Sequence, residues 1–121
     1  MSEPFPYSAA DELAAVRAHV RSRAATLGLP ARRVELLALA VSELATNTLQ
    51  HTDAGGSVRV WATTDHVICD VVDSGPLRSF GAMPPAGSFR GRGLAIVGQV
   101  ADRVTATSTD HGTLVRMCMN R

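Results

Sequence analysis

The stretch from about Ala31 to Gln50 constrains this chain more than any other segment. Val34, Leu37, Val41, Leu44 and Thr48 recur at three and four residues and form one helical stripe. Leu36, Leu39 and Ala40 form a second stripe, nearly opposite the first. A helix that is apolar on two sides is expected to lie between layers. At roughly 100° per residue, Glu43 and Asn47 continue the second stripe toward the helix end. A face that begins apolar and ends polar suggests a helix whose last turns line a cavity.

The neighbouring segments supply the layers. Before this helix, Leu13, Val16, Val20, Ala24 and Leu27 make a single stripe backed by Arg17, His19, Arg21 and Arg23. Ser8 and Asp11 have the spacing of a capping box at its start. Gly28 stops this first helix, and Pro30 suits the opening of the next. "SVRVWAT" alternates, with Val58, Val60 and Ala62 on one side and Arg59 and Trp61 on the other. "VICDVVD" reads as a largely buried strand, and the two strands as an antiparallel hairpin. "RVTATST" and "TLVRMCM", joined by "DHG", read as a second hairpin, and Phe5–Tyr7 as a small extra strand. Between the hairpins, residues 74–93 form a long Gly/Pro-rich loop of the kind that serves as a lid, followed by a short helix carrying Leu94, Val97, Val100 and Ala101. The order α α β β loop α β β predicts an α+β chain, a two-layer α/β sandwich. Its mixed, mostly antiparallel sheet is covered on one face by about three helices. Residues 1–121 are expected to make one domain.

Composition narrows the function classes. The formal net charge is +1 and no Lys/Arg run marks a nucleic-acid face, so direct nucleic-acid binding is not expected. Arginine dominates the positive charge, which suits planar recognition of carboxylates and phosphates. No apolar run approaches the ~18 residues of a membrane span, and "MSEPFPYSAADE" does not read as a signal peptide. Cys69 and Cys118 are isolated in apolar stretches and read as buried reduced thiols. A cytoplasmic location is the expectation.

Four features carry chemistry. Glu43 and Asn47 stand four apart on the helix: a carboxylate there can take a proton, and an amide oxygen can ligate Mg²⁺. Asp73 ends a buried strand and is followed by Ser74 and Gly75; it either caps the turn or accepts an N–H from a ligand. "GRGL", Gly91 to Leu94, begins a helix, where free backbone N–H groups attract anions and glycine permits close approach; Arg90 and Arg92 add charge. The plain alternative is a loop joined to a helix. Thr113 shares the parity of Val115 and Met117 and so points inward, toward either a cross-strand partner or a ligand. His51, one turn after Asn47, makes a structural hydrogen bond or points toward phosphates.

In this order the features resemble the GHKL ATPase superfamily, with the histidine kinase-like ATP-binding domain. Within it the chain is most similar to the anti-sigma factor serine kinases of the SpoIIAB/RsbW type. "ELLALAVSELATNTLQH" looks like the family's N-box, "VVDSGP" its first glycine box, "GRGLAIVGQVADRV" its second, and "GTLVRM" its last strand.

The resemblance implies ATP and Mg²⁺ as cofactors, with Glu43 as general base and Asn47 as the Mg²⁺ ligand. It implies that Asp73 reads the adenine amino group and that Gly75 gives close approach. It places Arg90, Gly91, Arg92, Gly93 and Leu94 around the phosphates, and Thr113 at adenine through a water. The implied partners are a STAS-domain anti-anti-sigma protein, phosphorylated on serine, and a sigma factor that is sequestered, with a homodimer as the family's assembly. The chain departs from the family at Asp73-Ser74-Gly75-Pro76-Leu77, where the second glycine of the box is absent. The alternative implied by that departure is a non-catalytic nucleotide-binding module that regulates a partner by binding alone.

Overall fold

The computed structural model describes residues 3–51, 55–73, 101–109 and 112–121. The expected lid-like loop, residues 74–93, and residues 94–100 of the expected short helix lie outside them. Five strands and two α-helices are described: β1 (Phe5–Tyr7), α1 (Leu13–Thr26), α2 (Ala31–His51), β2 (Gly56–Ala62), β3 (His66–Asp73), β4 (Arg103–Thr109) and β5 (Gly112–Asn120). The strands form one sheet in the order β1-β2-β3-β5-β4, and each neighbouring pair is antiparallel. This is the two-layer α/β sandwich that the alternation of helices and hairpins predicts. The strand β1 is also found where the sequence places it.

The start of α1 corrects the expected capping box. Glu12, not Asp11, closes it: the carboxylate accepts the N–H groups of Ser8 (2.6 Å) and Ala9 (3.1 Å). In return the Glu12 N–H donates to the Ala9 carbonyl at 3.0 Å. A single 3-10 turn, Ala10–Glu12, intervenes before α1, which shifts the box by one residue. Gly28 ends α1 with φ +99°, a left-handed conformation that glycine takes without steric cost. Pro30 lies just before α2, its carbonyl accepting the Val34 N–H at 3.0 Å.

The core lies between the helices and one face of the sheet. Val16, Val20 and Ala24 of α1 and Leu37, Val41 and Leu44 of α2 meet Val58 and Val60 of β2, Cys69 of β3 and Met117 of β5. The period-two pattern of β2 holds: Val58 and Val60 are buried while Arg59 and Trp61 point the other way.

The two-stripe reading of α2 needs correction. Leu39 is 45% exposed and Leu36 is half-buried, so among the described residues no layer covers the second side. Burial instead spreads in one broad face through Ala38, Ala40 and Ala45, small residues that let the helix sit close to the sheet. Glu43 and Asn47 are half-buried and lie at the margin of that face. Of the two cysteines, Cys69 is buried and Cys118 half-buried; both are free thiols.

Candidate functional site

The last turns of α2 meet the ends of β3 and β5. The packing there is incomplete, leaving a cavity of about 10 Å³ lined by Leu44, Thr48, Val71, Asp73, Thr113 and Val115. That is the room of about one water molecule. Leu44, Val71 and Val115 give it aliphatic walls, beside Thr48, Asp73 and Thr113. Asp73 and Thr113 face each other as register partners across β3 and β5. Their side chains are 4% and 3% exposed, so both point inward, as their strand parity predicts.

The electrostatics of this end are unusual for a core. The Thr113 hydroxyl is buried without a hydrogen-bond partner, and so is the Tyr7 hydroxyl. Thr48, also buried, gives its proton to the Leu44 carbonyl at 3.2 Å. Burial pushes the Tyr7 phenol up to about 12; the Thr48 hydroxyl beside it pulls back in part, and the Asp73 carboxylate adds to the rise. At neutral pH Tyr7 is therefore an uncharged donor next to an acidic side chain. A buried polar atom without a partner costs about 1–3 kcal/mol, so two of them in one register row with Asp73 mark a place that a ligand or water completes.

The chemistry of these donors fits a purine. Aliphatic side chains can pack against the face of a flat ring, and a carboxylate beside them can accept an N–H from the ring edge. Neighbouring hydroxyls can both donate and accept. Glu43 and Asn47 lie one turn apart on the same helix, which brings a carboxylate and an amide oxygen to one edge of α2. Neither side chain makes a hydrogen bond or ion pair among the described residues. Hard oxygen donors of this kind suit Mg²⁺. The sequence thus singled out Asp73 and Thr113, which the structure brings together, and the pair Glu43 and Asn47, which it places on the margin of the same helix. Gly75, Arg90, Gly91, Arg92, Gly93 and Leu94 lie outside the described residues, as does the side chain of His51.

Sequence reasoning missed two contributors. Thr48 was counted in the apolar stripe of α2, where its methyl group belongs; its hydroxyl reaches the site because that stripe runs to the cavity. Tyr7 was read only as strand. The signal that finds it is the register: Tyr7 pairs with Gly56, which pairs with Asp73.

Among the described residues, no helix is long and apolar enough to cross a membrane. No curated protein matches the chain. The family model of the histidine kinase-like ATPase domain matches residues 6–119, which runs from β1 through β5 and takes in both glycine-rich stretches. With its sandwich fold and a slot that ends in an aspartate and a threonine, this chain belongs to the histidine kinase-like ATPase domain family, whose domains bind ATP.

Proposed function

We propose that this chain is an anti-sigma factor-type serine/threonine protein kinase that uses ATP and Mg²⁺. The observation that supports it most is the pairing of Asp73 with Thr113 at the closed end of an aliphatic slot, on a chain matched over 6–119 by the ATPase family. Asp73 accepts the adenine amino group, and Thr113 contacts the base through a water. Gly75 allows close approach at the turn. Arg90, Gly91, Arg92, Gly93 and Leu94 surround the phosphates. Asn47 holds Mg²⁺, which supplies neutralising charge to the phosphate oxygens.

Phosphoryl transfer depends more on position and charge than on covalent chemistry. Glu43 takes the proton of the incoming serine hydroxyl as its oxygen bonds to the γ-phosphorus. The bond from that phosphorus to the bridging oxygen breaks, and its electron pair leaves with ADP. The acceptor serine lies on a STAS-domain partner, and a sigma factor is the competing ligand, bound by a cytoplasmic homodimer. Pro76 and Leu77, in place of a freer glycine turn, favour a second reading: nucleotide binding without turnover, with regulation by sequestration.

Titration with ATP·Mg²⁺ followed by transfer of labelled phosphate to a STAS-domain protein tests both. The kinase reading expects transfer that disappears in Glu43→Ala while ATP binding persists. ATP binding with no transfer from the wild type supports the binding module. No stabilisation by ATP or ADP at saturating concentration rejects both, because a ligand of the native state raises its melting temperature.

A further inference from the structure

One row of residues crosses the sheet from its edge to the cavity: Tyr7, Gly56, Asp73 and Thr113. Gly56 leaves a gap in that row, and the tyrosine ring fills it. A Cβ placed on Gly56 would stand 2.8 Å from the Tyr7 hydroxyl oxygen and 3.1 Å from its Cζ, and would collide with the Val72 carbonyl oxygen. The phenol therefore reaches over Gly56 toward the next position of the row, which is Asp73. It ends among groups that line the cavity, with Thr48 and Asp73 near enough to influence its ionisation.

Among the described residues, no group stands in hydrogen-bonding geometry to that hydroxyl, although the Thr48 hydroxyl lies beside it. Tyr7 is 2% exposed, and its Oη has no hydrogen-bond partner. The Thr48 hydroxyl directs its proton to the Leu44 carbonyl and so gives none to the Tyr7 oxygen. On the other side of Asp73, Thr113 Oγ1 is buried and without a partner as well. A phenylalanine would fill the same space over Gly56 without burying an orphan donor. The hydroxyl at this position is therefore unexplained by packing.

We infer that Tyr7 is a specificity-determining positioning residue of the nucleotide slot. When a base enters, the Tyr7 hydroxyl donates toward the Asp73 carboxylate and turns one of its oxygens to the base as a pure acceptor. The slot thereby selects a purine with an exocyclic amino group. A purine with a carbonyl in that place would set oxygen lone pairs against the carboxylate. This inference rests on the nucleotide-binding reading above, and goes beyond it by assigning the selection to a residue on the edge strand.

The test compares ADP with inosine diphosphate, both with Mg²⁺, on the wild type and Tyr7→Phe, by calorimetric titration. The expected result is that Tyr7→Phe weakens ADP about tenfold, the loss of one hydrogen bond to a charged group. It leaves inosine diphosphate within about twofold, so the preference for ADP narrows by at least about fivefold. The ligand-free variant melts at the same temperature as the wild type or higher, because a buried orphan donor has been removed. A residue with a merely structural role would lower the melting temperature and weaken both nucleotides alike, and that result overturns the inference. So does an unchanged ADP preference, while leaving the nucleotide reading intact. A wild type that binds neither nucleotide rejects the reading itself and the inference with it.

Discussion

Asp70 and Asp73 stand three residues apart on β3, both almost fully buried, and the fold treats them in opposite ways. Asp70 faces away from the helices. Its two oxygens accept from Arg116 at 2.8 and 2.9 Å, and Arg59 lies 3.6 Å away on the neighbouring strand. Both guanidinium groups lie over the Trp61 ring, at 4.5 and 5.2 Å from its centre. Asp73 faces the helices, in one register row with Gly56, over which the Tyr7 ring lies, and with Thr113. The difference separates a structural carboxylate from one placed for a ligand. Cations on both neighbouring strands commit Asp70 to the sheet, and this hydrogen bonding to Asp70 holds the Arg116 guanidinium above its ordinary pKa. Asp73 lines the cavity, with the Thr113 hydroxyl opposite it on β5.

Exchanging the two carboxylates' fates should break the comparison if it is wrong. The largest expected effect is on binding: Asp73→Asn weakens ADP about 100-fold, roughly 2.7 kcal/mol, measured by titration, with little loss of melting temperature. Nearly wild-type ADP affinity in that variant would remove Asp73 from the site. Asp70→Asn should do the reverse. Removing one member of a buried ion pair costs about 3–5 kcal/mol. Here Arg59 and Arg116 remain 41% and 39% exposed and can rehydrate, so about 1–3 kcal/mol is expected in urea unfolding. ADP affinity should not change. Trp61→Ala is expected to cost about 1 kcal/mol through the lost cation–π contacts, and less once Asp70 has already been replaced.

The smallest effect concerns Asp102, an exposed carboxylate on the same molecule. It accepts the Asn120 N–H at 2.7 Å and the Arg33 guanidinium at 3.2 Å, and these hold it below its ordinary pKa of 3.8, the Asn120 bond most of all. A carboxylate with a depressed folded pKa stabilises the native state above its ordinary value and loses that contribution as pH falls through the depressed one. The melting temperature of Asp102→Asn should therefore lie slightly below the wild type at pH 7. The gap should close as the pH falls below about 3.8; a gap independent of pH would mean that the carboxylate charge is not the source.

Much of this was legible in the residues, and the parts that were not share a cause. Periodicity found the helices and hairpins, because a one-residue slip in β2 or β3 would turn Val58 or Cys69 to the wrong face. Parity found the inward direction of Asp73 and Thr113. What the pattern could not supply was which elements stack. Leu39 falls on the second apolar stripe of α2, yet it is exposed and no described layer covers it. The burial of Asp70 depends on Arg59 and Arg116, which stand 11 and 46 positions away in the chain, and spacing along β3 does not reveal them. Tyr7 belongs to the site only through a register that passes across Gly56. Local spacing carries no record of pairings between distant strands.

The edge strand has a consequence for how the site behaves over time. β1 is three residues long, pairs with β2 alone and includes Pro6, so its hold on the sheet is slight. Strands of this kind open locally at far lower free energy than the whole domain unfolds. Each opening carries Tyr7 away from Asp73. If the tyrosine gains a hydrogen bond when the slot is filled, occupancy at the middle of the sheet will slow amide exchange at its margin. The sheet edge then serves as a gauge, readable residue by residue, of what the interior holds.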